Sequence, residues 1–549
     1  MRPLNDACSA PIPWPAEVDP GQVRQATSRL VAYVSNRVGP DGALQEECQS
    51  RVLESALALT LMIRTGTVSP ARDRVLAFLE AQRDTSNEFN RLLAAFALGR
   101  ASDREPAGDA ELIAKLTEAV LGNAPEFLSA RRRRMLYAVL SVLGCPLPAG
   151  VVPAADEEPP TDVVHSWAAV QQAGVTLILA SAAGVSNKAT DAALSTLTAT
   201  RPASTVWEGY VLLHLLSLHG LAGVAGQEAT VRRGLRALVR CQRHDGGFPF
   251  VMQMDNWCAS TAGLALAAAG ARPSVLRPMA QTLAAHRVDA SQRDLYLSLS
   301  RGRPLLGGWS IGPEVAQEDV DDTACAVEFL HEVDPVAFRG PVRRGVDALL
   351  AVQNDDGGFP TYVAGGSSEP CMTAAAVNAL APFPSTAPAR ERALKSLVDS
   401  QLADGGFEPG WSSSRHHAMF RARLVALTAD PDDRGAALMA ERIERSVYET
   451  QNDDGGWGMQ PGDPSDDIST ASALITLCYG DRSEPVGRAL AWLLAHQNAD
   501  GGYSGPPDQV GPRPLSYHFP VLTDIPVLLA LGHVRSRVGR TTSQLQGIA

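Results

Sequence analysis

Aromatic residues are scarce in this chain. The 8 Trp, 9 Tyr and 13 Phe make up 5% of 549 residues. Positive charge is also in deficit, with 48 Lys and Arg against 60 Asp and Glu and a formal net charge of -12. A nucleic-acid binder would carry a basic face, so that class is set aside. The single basic run, Arg131-Arg132-Arg133-Arg134, reads as a solvated helix face, with an anion site as the alternative. No apolar stretch reaches the ~18 residues of a membrane span. The opening residues MRPLNDACSAPIPWPAE lack an apolar core behind a basic start, so no secretory signal is expected and the chain is expected in the cytoplasm. Shallow contact with a membrane surface stays open. The eight cysteines are scattered and none forms a C-x-x-C pair, which excludes a zinc framework and fits reduced thiols. Strand-period alternation is essentially absent, leaving an all-α chain.

What is present is repetition. Cys241-Gln242-Arg243-His244-Asp245-Gly246-Gly247-Phe248 returns around Gln353, Gln401, Gln451 and Gln497, each time as a glutamine, an aspartate, two glycines and an aromatic. The last four glutamines lie about 50 residues apart, room for two helices and two turns. The glutamine is expected to bond exposed carbonyls in the last turn of an outer helix. The glycines supply the positive φ of a tight turn, and the aromatic packs back on the next helix. Fainter copies occur at Ser35-Asn36-Arg37-Val38-Gly39-Pro40-Asp41-Gly42 and Ala81-Gln82-Arg83-Asp84. Residues 151–160, VVPAADEEPP, read as an exposed acidic loop. Helix pairs of this regularity close into an α/α barrel or curl into a solenoid, and either can host many functions.

One segment carries chemistry. Asp319-Val320-Asp321-Asp322-Thr323-Ala324 opens an apolar helix. A helix N-terminus offsets part of the repulsion among three carboxylates. In a low-dielectric pocket they cannot all ionise, so one keeps its proton and becomes a Brønsted acid. The bland alternative is an acidic helix cap facing water. A calcium loop is disfavoured, since Thr-Ala-Cys-Ala-Val brings no further ligand oxygens.

The repeats resemble the QW motifs of the squalene-hopene cyclase and class II diterpene cyclase superfamily, and Asp319 to Ala324 matches its D-x-D-D-T-A acid motif. Gly307-Gly308-Trp309-Ser310, Trp257-Cys258-Ala259-Ser260-Thr261-Ala262, Asp466-Asp467-Ile468-Ser469-Thr470-Ala471 and Tyr517-His518-Phe519-Pro520 resemble further family segments. The resemblance spans about residues 230 to 540. It implies an all-α fold of two α/α barrels in the βγ arrangement: a segment 1–20 packing on the β barrel, a diverged γ barrel over 21–260 and a β barrel over 261–549, with the active site between them. It implies Asp321 as general acid, supported by Asp319 and Asp322. Trp309, Trp257, Trp411, His416 and Tyr517 become cavity candidates, each with structural packing as the plain alternative. His165 is a candidate to hold the deprotonating water, or else a core histidine. The family's acid-orienting His or Asn falls at Ala375 here, which leaves Asn378 as the nearby candidate. Asp84 and Glu88 are candidates for an acidic magnesium motif, against ordinary solvated turn residues.

Few aromatics, a chain shorter than a typical squalene cyclase, and Ser310 after Trp309 favour a prenyl diphosphate over squalene. Geranylgeranyl diphosphate giving a copalyl-type diphosphate comes first, with farnesyl diphosphate giving drimenyl diphosphate as the alternative. No D-D-x-x-D motif for ionising a diphosphate occurs, so the diphosphate is expected to survive, with Mg2+ as its counter-ion. A squalene/hopene-type cyclase and a protein prenyltransferase β-like subunit, which needs an Asp, Cys and His zinc site, are the competing readings. The expected partner is the small-molecule substrate alone, with the chain a monomer or homodimer.

Overall fold

The computed structural model describes residues 12–102, 110–122, 126–146, 163–286 and 290–538. Cys8 and the acidic stretch 151–160 lie outside the described residues. The repeat explains the architecture from the turn upward. Outer helix Arg339–Val352 stops at Gln353, whose ψ of 130° leaves the helical region. This extended backbone turns the side chain off the helix. Its Nε2 donates to Gly357 O and Ala389 O, both at 2.8 Å. The glutamine therefore ties its own turn to the next outer helix, not to the last turn of its own helix as the sequence suggested. Gln242, Gln401, Gln451 and Gln497 repeat the bond pair.

The two glycines serve different ends. Gly357 has φ 84°, a left-handed conformation. A Cβ on Gly358 would fall 2.5 Å from Ser368 Cβ, so only hydrogen fits. The following aromatic is locked by its backbone. Phe359 N and Trp309 N donate to Thr373 Oγ1 and Thr323 Oγ1 at 2.9 Å, and Trp457 N to Thr470 Oγ1 at 3.0 Å. The threonine of the acid motif is thus a repeat feature, shared with units that carry no aspartate triplet.

Among the described residues, six inner helices form a closed ring: Asp255–Ala269, Val320–Val333, Pro370–Leu380, Arg415–Ala426, Asp467–Leu477 and Val521–Arg537. They are buried on nearly every side, as in Asp467–Leu477, where all residues are buried. Outer helices such as Arg434–Glu449 bury one stripe. The ring's sixth outer helix is Pro20–Ser35, which packs on Val521–Arg537 and receives Gln497 Nε2 on Ala26 O at 3.0 Å. A boundary at 21 and another at 261 therefore cut this barrel. The C-terminal chain supplies only five outer helices to six inner ones, and the N-terminal helix fills the gap. A second ring joins Val52–Arg64, Glu88–Ala101, Ser129–Leu143, Ser166–Ala183 and Val211–Leu221. Among the described residues, three two-residue ladders are the strands. One pairs Trp309 with Asp319 and Ser310 with Glu318, setting the start of the acid helix.

Candidate active site

A cavity of about 540 Å³ lies between the rings, with walls from both. Asp319, Asp321 and Asp322 open onto it from the start of helix Val320–Val333. Asp319 is indeed the helix cap, accepting from Asp322 N at 2.8 Å, but it is buried, not solvated. Val320 N donates to Thr361 O at 2.9 Å, so the helix start is pinned to the next repeat. The N-terminal ring clamps the approach to the motif. Gln317 Oε1 accepts from Ser166 N at 3.1 Å and Ser166 Oγ at 2.7 Å. Glu208, at φ 51°, accepts from Trp167 Nε1 and from Ala316 N at 3.4 Å.

Burial decides the charge state of the triplet. It pushes the Asp319 carboxyl upward, against hydrogen bonds from Asp322. It pushes Asp322 far upward, helped by the Asp319 charge, and Asp322 Oδ1 has no hydrogen-bond partner. Burial also raises Asp321, but here the Arg421 guanidinium, bonded to its Oδ1, pulls the other way. Burial thus favours the protonated form across the triplet, most strongly at Asp322, beside one fixed cation.

Elsewhere the wall is basic. The four-arginine run is not one solvated face. Arg133 pairs with Glu118 at 3.2 Å, while Arg131 and Arg132 line the cavity. Their Nε atoms have no partner, and Arg132 makes one long contact, Nη1 to Gln171 Oε1 at 3.4 Å. Burial lowers the Arg132 pKa to about 9, with the Arg513 and Arg131 charges adding to it. Arg513 joins them over the Trp411 ring at 4.3 Å, paired with Glu369. Two desolvated guanidiniums without a carboxylate mark a place built for an anion from outside.

The rest of the wall is aromatic. Eight Phe, Tyr and Trp side chains reach it among the described residues. Trp167 and Phe250 meet Tyr210 edge-on at 5.0 and 4.8 Å, and Tyr517 lies 4.7 Å from Phe250. Such faces stabilise a cation.

Of the sequence candidates, Asp319, Asp321, Asp322, Trp257, Trp411, Tyr517 and His165 share this cavity. His165 stacks on Tyr362 at 4.2 Å; burial and the nearby arginines hold its pKa far down, so the ring is neutral. Trp309 is not on the wall: its Nε1 donates to Leu283 O at 2.9 Å, beneath the motif. His416 packs edge-on against Trp457, inside the barrel. Asn378 is not the orienter, since its Nδ2 donates to Arg421 O at 3.2 Å. Arg421 itself touches Asp321, and no motif singled it out. Arg513, Tyr210, Phe250 and Tyr362 were also missed, and Arg132 was named only within the arginine run, as the alternative anion site. The unusual arginine run was the one available signal.

Asp84 and Glu88 do not fit a magnesium site here. Both are exposed and off the main cavity, and Glu88 pairs with Arg91 at 3.4 Å. One group of possible metal ligands, Asp321, Cys371 and His417, lies within 4.8 Å among the described residues. Arg421 Nη1 already bonds Asp321 and lies 3.7 Å from Cys371 Sγ. A guanidinium therefore stands where the transferase reading needs zinc.

Comparison with known proteins agrees with the geometry. The model of the prenyltransferase alpha-alpha toroid domain matches residues 187–381 and 323–511. Drimenyl diphosphate synthase of Streptomyces showdoensis is 37% identical over 93% of this chain and 94% of its own. Drimenyl diphosphate synthase of Streptantibioticus cattleyicolor is 37% identical over 92% of this chain and 93% of its own. The structure of ent-copalyl diphosphate synthase from Streptomyces platensis, 18% identical, shares the fold at a TM-score of 0.54, covering 93% of this chain and 99% of that one. No helix among the described residues is long and apolar enough to cross a membrane. With the buried aspartate triplet at the seam of two helical rings, the chain belongs to the class II terpene cyclases.

Proposed function

We propose that this chain converts farnesyl diphosphate to a bicyclic drimenyl-type diphosphate, keeping the diphosphate, with Asp321 as proton donor. The observation carrying this is one cavity that joins three buried carboxyls, aromatic faces and two arginines whose Nε atoms have no partner. The sequence by itself favours the C20 chain; the names of the two relatives at 37% identity favour C15. The likeness to a copalyl synthase reaches the fold alone at 18% identity.

In this reading Asp321 protonates the terminal alkene, and ring closure carries the charge inward. Aromatic walls hold each cation. The last cation of a farnesyl chain sits close to the diphosphate carbon. Its proton leaves to the neutral His165 ring or a water beside it, which lies near Arg131, Arg132 and Arg513. Those arginines hold the diphosphate. Magnesium enters only as the substrate's counter-ion.

The test incubates purified protein with farnesyl and with geranylgeranyl diphosphate plus magnesium, then applies phosphatase and gas chromatography. A bicyclic C15 alcohol is expected from farnesyl diphosphate, and none from Asp321→Asn. Pyrophosphate release in step with cyclisation, or turnover of squalene but neither diphosphate, overturns the proposal.

A further inference from the structure

We propose that Arg421 is the positioning residue of Asp321: a permanent cation behind the acid that orients it and makes its proton easier to give. This rests on Asp321 being the donor. Arg421 comes from inner helix Arg415–Ala426 and is 8% exposed. It does not line the cavity, so it meets the acid from the barrel side. Its Nη1 donates to Asp321 Oδ1, and Asp321 lines the cavity, so the transferable proton is assigned to Oδ2. Cys371 Sγ lies 3.7 Å from Nη1 and Cys325 Sγ 3.8 Å from Nη2. Asn378 Nδ2 holds the Arg421 carbonyl at 3.2 Å.

The groups facing this guanidinium are few. The acid helix presents Asp321, Cys325 and Glu328 on one face. The neighbouring segment brings Cys371 against Arg421 and Glu369 within reach of Asp321, and the arginine's own helix brings His417. Burial raises both thiols, Cys371 to about 12, so they stay neutral. Burial keeps His417 neutral too. Glu328 is raised by burial to about 7, with Arg421 opposing. Glu369 is already paired with Arg513. Asp321 is thus the carboxyl that Arg421 bonds directly.

The chemistry requires two opposed things of Asp321. It must keep a proton in the resting enzyme, and burial pushes it that way while Arg421 pulls against it. It must also release that proton to an alkene, a very weak base. In the step, the Oδ2–H bond breaks and its electron pair stays on Asp321. The alkene π pair forms the new C–H bond and leaves a carbocation. A cation already bonded to Oδ1 stabilises the carboxylate as it forms, without reorganising. The isomerisation later returns one proton for the one taken. An imidazole in this place would titrate near neutrality; a guanidinium does not.

The experiment compares Arg421→Gln, Arg421→Lys and Arg421→His with the full-length wild type. Folding is followed by circular dichroism, and kcat and KM with farnesyl diphosphate between about pH 5.5 and about pH 9. Arg421→Gln is expected to lower kcat about 10- to 100-fold with KM within about threefold. Arg421→Lys should restore part of kcat. Arg421→His should gain an alkaline loss of activity as its ring deprotonates. If Arg421→Gln does not fold, the pH profile of Arg421→His decides. A folded Arg421→Gln with kcat within about threefold of wild type overturns the inference, as does an Arg421→His profile superimposing on the wild type. Normal cyclisation by Asp321→Asn would instead overturn the functional reading beneath it.

Discussion

Arg132→Met should weaken substrate binding while stabilising the free protein, two effects of opposite sign from one side chain. Arg132 is 7% exposed, and its one hydrogen bond is long, at 3.4 Å. Burial takes its pKa down from the ordinary guanidinium range to about 9, between three and four units. At about 1.4 kcal/mol per pKa unit, that is a gross penalty on the order of 5 kcal/mol for holding the charge at this buried place. Relaxation and entering water leave about a third of it recoverable, on the order of 1–3 kcal/mol. Methionine fills the same channel without a charge. At about 2 cal/mol/K of unfolding entropy per residue, a thermal melt of this chain should therefore rise by about 1 °C for each kcal/mol recovered. With substrate the sign reverses. One charge-assisted hydrogen bond to a diphosphate is worth about 1.5–3 kcal/mol, so kcat/KM should fall roughly 10- to 150-fold. Most of the fall belongs in KM, because the diphosphate is held equally before and during ring closure. The assay is a paired melt and steady-state kinetics at low ionic strength. A lower melting temperature, or an unchanged KM, refutes the assignment of Arg132 to an external anion.

Three other substitutions test the remaining links. Thr323→Val strips the acceptor from Trp309 N–H in a fully buried place; a loss of about 1–3 kcal/mol in denaturant unfolding is expected, and an unchanged midpoint would show that the repeat bond contributes nothing. Asp322→Asn removes a carboxyl that burial and Asp319 push far upward; activity should drop at least about 100-fold, while the melting temperature holds or rises at about pH 8, where ionising the buried group is most costly. Glu208 has a folded pKa of about 7 against an ordinary 4.5, raised chiefly by burial. Its contribution to stability is full below the unfolded value and lost as pH rises through about 7. The melting temperature of Glu208→Gln relative to wild type should therefore climb between about pH 5 and about pH 8, and a constant difference would rule out the raised carboxyl.

The legible part of this protein was the part written in short-range pattern. The Gln and Gly-Gly aromatic units stand in sequence because each turn satisfies its own backbone locally, through a left-handed glycine and a glutamine amide four residues away. The Asp319 cap was legible for the same reason. Composition misled in one respect. Aromatics are few across the chain, yet eight of them gather on one cavity wall among the described residues. Frequency says nothing of where side chains converge. Arg421 was invisible because it lies 100 residues from Asp321 in sequence and meets it only through the ring of inner helices.

The sequence alone determined the repeat, the all-α class and the aspartate triplet, since each depends on residues close in the chain. Tertiary structure decided the rest. Which outer helix closes the C-terminal ring depended on a gap that helix Pro20–Ser35 fills from the far end of the chain. Whether the arginine run faces water or ligand depended on packing Ser129–Leu143 beside the cavity. The same three aspartates in water would be a charged helix cap. Burial between two rings, with one guanidinium behind them, makes them a store of protons, because desolvation is a property of the surroundings and not of the motif.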